Sequence, residues 1–278
     1  MTHSNGTMTM SDRGVTGWFY VSLMGLAFIS LYLLNYVIPL EQGNYTTRIW
    51  NWSEWSLAAG AFVVIILRWR SVTARVILLG VLLGSLSGLS YVLHDFSPLG
   101  ALSEGCAVFL TFLAGMILFK TLESTRVRAF ERGLPISLGL GVLFALPLAA
   151  LNNLYFYLQN GVPRFQNVVS SALEALSPGI HEEVVYRYFV LAACLVLLKH
   201  SPRPRLALTA AIVMAVVPHS LLHLPDLFLQ NPVMGLSMLV ATSLLFGLPM
   251  AVLQVKRNLE SAISFHWFID AFRFLFGY

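Results

Sequence analysis

Ser177-Pro178-Gly179-Ile180-His181-Glu182-Glu183-Val184-Val185-Tyr186-Arg187 opens an apolar run, Tyr188 to Leu198, that carries no charge. Pro178 and Gly179 break what precedes them, so a helix is expected to start just after. Two adjacent carboxylates on such a helix point about 100° apart. Glu183 and Arg187 are four apart on one face and can pair. Glu182 shares the neighbouring face with Tyr186. One glutamate therefore has a built-in counter-ion and the other does not, and the second suits a proton acceptor. Ionisable side chains in an apolar helix are costly and as a rule functional.

The rest of the chain places this segment in a membrane. Of 278 residues, 57% are hydrophobic and 11% charged, and the mean hydropathy is +0.75. This excludes a soluble domain and predicts an all-α, polytopic transmembrane helical bundle of about eight or nine spans. The expected spans are 17–38, 54–68, 74–93, 101–119, 134–157, 180–198, 206–224, 233–254 and 259–277. The polar stretch 1–16 lacks a basic region followed by a short apolar core, so an uncleaved first helix is expected rather than a signal peptide. Trp50, Trp52 and Trp55 crowd the start of the short second span and Trp69 its end, as in an interfacial aromatic belt. Gly80, Gly84 and Gly88 predict close helix packing in the third span. The stretch 165–177 reads as amphipathic, interfacial or re-entrant. Cys106 and Cys194 fall in apolar segments and are expected to be buried free thiols.

The loops alternate in charge. Arg68, Arg70 and Arg75 lie in one, Lys120, Arg126, Arg128 and Arg132 in another, then Lys199, Arg203 and Arg205, then Lys256 and Arg257. The intervening loops carry Glu41 and Glu54, Asp95 and Glu104, then Asp226. The positive-inside rule puts the basic loops in the cytoplasm. A net charge of +4 spread over such loops gives no case for nucleic acid.

Three late apolar segments carry polar pairs at a spacing of four: Glu182 with Tyr186 and Glu183 with Arg187, His219 with His223, and His266 with Asp270. That spacing puts each pair on one helix face. Three pairs on neighbouring spans argue for one shared polar cavity. Hydrolysis uses such a set: a glutamate takes a proton from water, imidazoles position that water, and donors hold the oxyanion. No serine or cysteine sits beside a base as a nucleophile; Ser220 is read as projecting from another face than His219. His219 and His223 with a glutamate could instead bind zinc, although His219-Ser220-Leu221-Leu222-His223 lacks the glutamate of an HExxH motif.

These residues resemble a family. Glu182-Glu183-x-x-x-Arg187, His223 followed by Leu224-Pro225-Asp226, and His266-x-x-x-Asp270 are similar to the EExxxR, FxxxH and HxxxN/D motifs of the CAAX prenyl protease 2 and bacteriocin-processing (CPBP) family of intramembrane glutamic proteases. The resemblance covers about the last 110 residues. It implies a metal-independent endopeptidase without a cofactor. Glu182 would activate water that His223 helps to hold. Glu183 and Arg187 would organise the site, and His266 and Asp270 would orient the substrate carbonyl or stabilise its oxyanion. The chain departs from the pattern at His219, where the second motif has Phe, and His219 and Tyr186 are further candidates. Asp270 stands where the third motif also allows Asn, and an ionised Asp there would need His266 or Arg273 as a partner. His181 is read as interfacial.

The expected organisation is a polar tail over 1–16, N-terminal transmembrane helices over 17–160 with no nameable chemistry, and a catalytic transmembrane region over 161–278. The expected substrate is a membrane-associated protein or peptide, prenylated or a precursor. The expected setting is a lipid bilayer, the cytoplasmic membrane of a prokaryote. The rival readings are a non-catalytic scaffold or immunity protein of the same fold, a proton-coupled transporter, and a haem or metal electron carrier.

Overall fold

The computed structural model describes residues 10–40, 43–95, 97–122, 129–130 and 133–278, with the backbone alone for 10–13, 94 and 95. Glu41, Arg126, Arg128 and Arg132 lie outside the described residues, as does most of the polar stretch 1–16. Among the described residues the chain is helical, with no strand. Five long helices come first: α1 Met10–Val37, α2 Tyr45–Arg68, α3 Ala74–Asp95, α4 Pro98–Lys120 and α5 Leu134–Asn160. Then follow α6 Val168–Glu174, α7 Leu176–His181 and α8 Phe189–Leu197, and α9 Pro204–Leu222. The chain ends in α10 Pro225–Gln230, α11 Pro232–Thr242, α12 Leu248–Lys256 and α13 Leu259–Leu275.

Local chemistry sets the helix starts. Asn44, Ser97, Asn167, Asn231 and Asn258 each accept a backbone N–H of the first turn of α2, α4, α6, α11 and α13, satisfying donors that a helix start leaves free. The cap at Asn44 begins α2 nine residues before the expected span at 54. Pro178 does not break the helix as expected. It sits in the first turn of α7, where no intrahelical N–H bond is lost. Between α7 and α8, Glu182–Tyr188 forms a π-type turn in which Phe189 N bonds Val184 O. A second π-type turn, Ser243–Gly247, joins α11 to α12. Such turns often mark functional sites.

Among the described residues, seven helical segments are long and apolar enough to cross a bilayer: 14–37, 45–71, 74–93, 98–120, 134–160, 204–222 and 232–256. The chain is a multi-pass integral membrane protein. Two expected spans fall short of that length. The sixth is divided among α7, the π-type turn and α8, and α13 has 17 residues. Both lie inside the bundle. Glu182 to Ala192 is buried throughout, and so are Leu259 to His266. The segments with the densest polar motifs are thus shielded from lipid, where charge is tolerated.

Alternating crossings give two rims. At one, Trp18 Nε1 donates to Ser201 Oγ at 3.2 Å, Phe130 N to Glu260 Oε1 at 2.8 Å, and Asn258 Nδ2 to Ser137 Oγ at 2.6 Å. Arg68, Arg70, Arg75, Lys120, Lys199, Arg203, Arg205, Lys256 and Arg257 sit at helix ends on this side. At the other, Asp226 accepts from Thr46 N at 3.0 Å and Thr46 Oγ1 at 2.6 Å. Ser90 Oγ donates to Leu173 O at 2.6 Å there, and Tyr278 OH to Gly161 O at 2.7 Å.

The glycine row of α3 meets α4 backbone to backbone. A Cβ at Gly84 would stand 2.5 Å from Gly105 O, and one at Gly88 2.6 Å from Ala101 O. Cys194 is buried, whereas Cys106 is exposed on α4, contrary to expectation. Glu54 and Glu104, read as loop charges, are instead buried within α2 and α4.

Candidate active site

The two adjacent glutamates have different surroundings. Glu183 has no exposed surface. Its Oε1 takes Arg187 as a close ion pair and lies 2.9 Å from His266 Nδ1. Gln254 Nε2 donates to its Oε2 at 3.2 Å and to its carbonyl at 3.1 Å. Glu182 keeps its carboxylate toward a cavity of about 530 Å³. Three imidazoles converge on its Oε2: His219 Nε2 at 2.8 Å, His266 Nε2 at 3.6 Å and His223 Nε2 at 3.7 Å. Glu182 has no counter-ion on its own helix, and its nearest partner, His219, comes from α9.

His219 is buried, and its Nε2 meets Glu182 off the axis of a hydrogen bond. His223 caps the end of α9, with 43% of its side chain exposed. His266 is the hub. Its Nδ1 faces Glu183, while its Nε2 stands between Glu182 and Asp270 Oδ2, the latter at 3.3 Å. Asp270 Oδ1 lies 3.1 Å from Arg273 Nη2, so Asp270 has both partners expected for it. The structure thus brings Glu182, Glu183, Arg187, His219, His223, His266 and Asp270 together. Tyr186 turns elsewhere: its hydroxyl donates to Trp50 O at 3.3 Å, and its ring lies against His219. Ser220, read as facing away, also lines the cavity.

The remaining walls come from α5 and α11 with the second π-type turn. Leu151, Tyr155, Phe156, Met238, Leu245 and Phe246 add a largely apolar lining to that of the carboxylates and imidazoles. A concave site with a few converging polar groups is the usual form of a binding site. A second cavity, of about 580 Å³, lies on the far side of His219 and Tyr186, between α1, α2, α8 and α9.

Sequence reasoning missed several neighbours. His181, read as interfacial, is buried with its Nε2 3.1 Å from Glu54 Oε2. Trp50 of α2 touches the rings of Tyr186, His219 and His223. Gln254 was visible as an amide inside an apolar span, and Glu54 as a charge near the start of one. No spacing rule ties residues so far apart in the chain. Glu182, His219 and His223 each offer a ligand atom within 4.8 Å of the others. Two imidazoles and a carboxylate form a donor set that suits zinc.

The fold and the site define a class: a multi-pass α-helical membrane protein whose C-terminal half holds a buried cluster of carboxylates and imidazoles. Residues 164–272 match the family model described as type II CAAX prenyl endopeptidase Rce1-like. The match bears out the resemblance drawn from the three motifs, and it runs from just before α6 into α13, leaving α1–α5 outside. It is a match to a family of proteases, and it supports a hydrolase of the CAAX-protease kind. No curated protein and no solved structure matches the chain.

Proposed function

We propose that the protein is an intramembrane endopeptidase in which Glu182 activates water against a peptide bond of a membrane-associated protein. The observation that carries this reading is the division of labour between the glutamates. Glu183 is consumed by Arg187, His266 and Gln254, whereas Glu182 faces the cavity among three imidazoles.

Glu182 takes the proton of a water held with His219 and His223, and the resulting hydroxide adds to the substrate carbonyl. His266 Nε2 faces the same space and donates to the developing oxyanion, and Asp270 and Arg273 hold its ring in place. Collapse of the tetrahedral intermediate breaks the C–N bond, and the proton on Glu182 passes to the leaving amine. Glu183 and Arg187 fix the π-type turn that carries Glu182. The catalytic region is then 161–278. The apolar wall of the cavity suits a substrate with a hydrophobic segment or lipid chain, prenylated or precursor, delivered within a bilayer such as a prokaryotic cytoplasmic membrane. The test is a comparison of protein termini in membranes of cells expressing the wild type or Glu182→Gln. A shortened substrate present only with the wild type is expected, and identical termini contradict the reading.

A second reading rests on the Glu182, His219 and His223 cluster, which could hold a zinc ion. Zinc would supply a Lewis acid for the carbonyl or for water. Phenanthroline separates the two. The glutamate reading expects full activity after chelation, and loss restored by zinc would favour the metal.

A further inference from the structure

We infer that α2, outside the family-matched region, is part of the active site, with Trp50 and Glu54 as positioning residues for the Glu182 reaction; this rests on the function proposed above. Trp50, Ser53 and Glu54 lie at spacings of three and four, on one face of α2. Trp50 and Glu54 each contact residues that hold or directly precede Glu182.

Trp50 stands with its ring centroid 5.5 Å from His219 and 4.9 Å from His223, at interplanar angles of 87° and 75°. These edge-to-face contacts fix the tilt of both imidazoles that share Glu182 Oε2. The Trp50 carbonyl also accepts the Tyr186 hydroxyl, and Tyr186 lies against His219. One turn further on, Glu54 Oε2 is 3.1 Å from His181 Nε2, and Ser103 Oγ donates to Glu54 Oε1 at 2.8 Å. His181 directly precedes Glu182. On the same face of α7, Ser177 donates to the buried Glu104 at 2.7 Å, so two buried carboxylates anchor the turn that presents Glu182.

Simple helix packing has no need of buried carboxylates, because apolar side chains pack as well without desolvating a charge. A role in holding geometry does need them. Displacements of about 1 Å at a reacting group cost up to roughly 100-fold in rate. The end of α2 is itself tied to the site. Asp226, three residues beyond His223, accepts from the backbone N–H groups of Tyr45 and Thr46.

The experiment measures turnover of an internally quenched peptide, ending in a farnesylated cysteine and three further residues, by the full chain in detergent. Glu54→Gln and Trp50→Leu should each lower kcat about 10- to 100-fold with KM within about twofold. Trp50→Phe should retain most of the turnover, because it keeps an aromatic ring against the imidazoles. Unfolding temperatures are recorded for each variant. A kcat within twofold of wild type for Glu54→Gln and Trp50→Leu overturns the inference. So does a Trp50→Phe as slow as Trp50→Leu. In the same assay, a Glu182→Gln variant that turns over like wild type overturns instead the function on which the inference rests.

Discussion

Glu183 has no solvent contact, and three side chains hold its carboxylate. Glu183→Gln removes the charge that Arg187 faces and leaves a buried guanidinium without its partner. A loss of about 3–5 kcal/mol is expected, together with loss of activity. Thermal unfolding in detergent checks this, and an unchanged midpoint would show that the pair does not hold the turn. His219 offers a sharper case, because it stands where the family motif has Phe. Its Nε2 is 0.9 Å nearer Glu182 Oε2 than that of His223, 2.8 Å against 3.7 Å. His219→Phe, which restores the family pattern, should therefore lower kcat by about 100-fold or more. Wild-type turnover in His219→Phe would mean that His223 alone serves the glutamate. The pairs of Glu183 with Arg187 and of His266 with Asp270 were legible, since a spacing of four on one helix brings side chains together. The approach of His219 to Glu182 was not, because it depends on how α9 leans against the π-type turn.

At the scale of elements, α3 and α4 meet through glycine. Gly84→Ala puts a Cβ 2.5 Å from a backbone oxygen of the facing helix, which cannot swing aside. It should cost about 1–3 kcal/mol. Gly60→Ala in α2 meets nothing within 4 Å and should leave the unfolding midpoint unchanged or raise it. Equal midpoints for both variants would contradict the packing described. The glycine row and the apolar runs were readable in sequence. The start of α2 was not. The expected span began at 54, yet residues 45–53 are helical because Asn44 and Asp226 satisfy the free N–H groups. Glu54 and Glu104 were visible as charges, but their burial depends on α7, which lies far away in sequence.

At the scale of the whole molecule, the helix ends sort into a basic rim and a rim that carries Asp226. The positive-inside rule assigns the basic rim to the cytoplasm. In a background lacking Cys106 and Cys194, Arg203→Cys should react with a membrane-impermeant thiol reagent from the cytoplasmic side, and Leu229→Cys from the other. The reverse pattern would invert the topology. Of the three imidazoles around Glu182, His223 at the end of α9 is the most exposed, and it lies toward the Asp226 rim. The most direct test of the account is the turnover of purified Glu182→Gln on the quenched farnesylated peptide, with its unfolding midpoint measured alongside. Glutamine keeps the shape of Glu182 but cannot take the proton. A wild-type midpoint with no turnover above background is expected, and cleavage at the wild-type rate would contradict the role of Glu182 as the base.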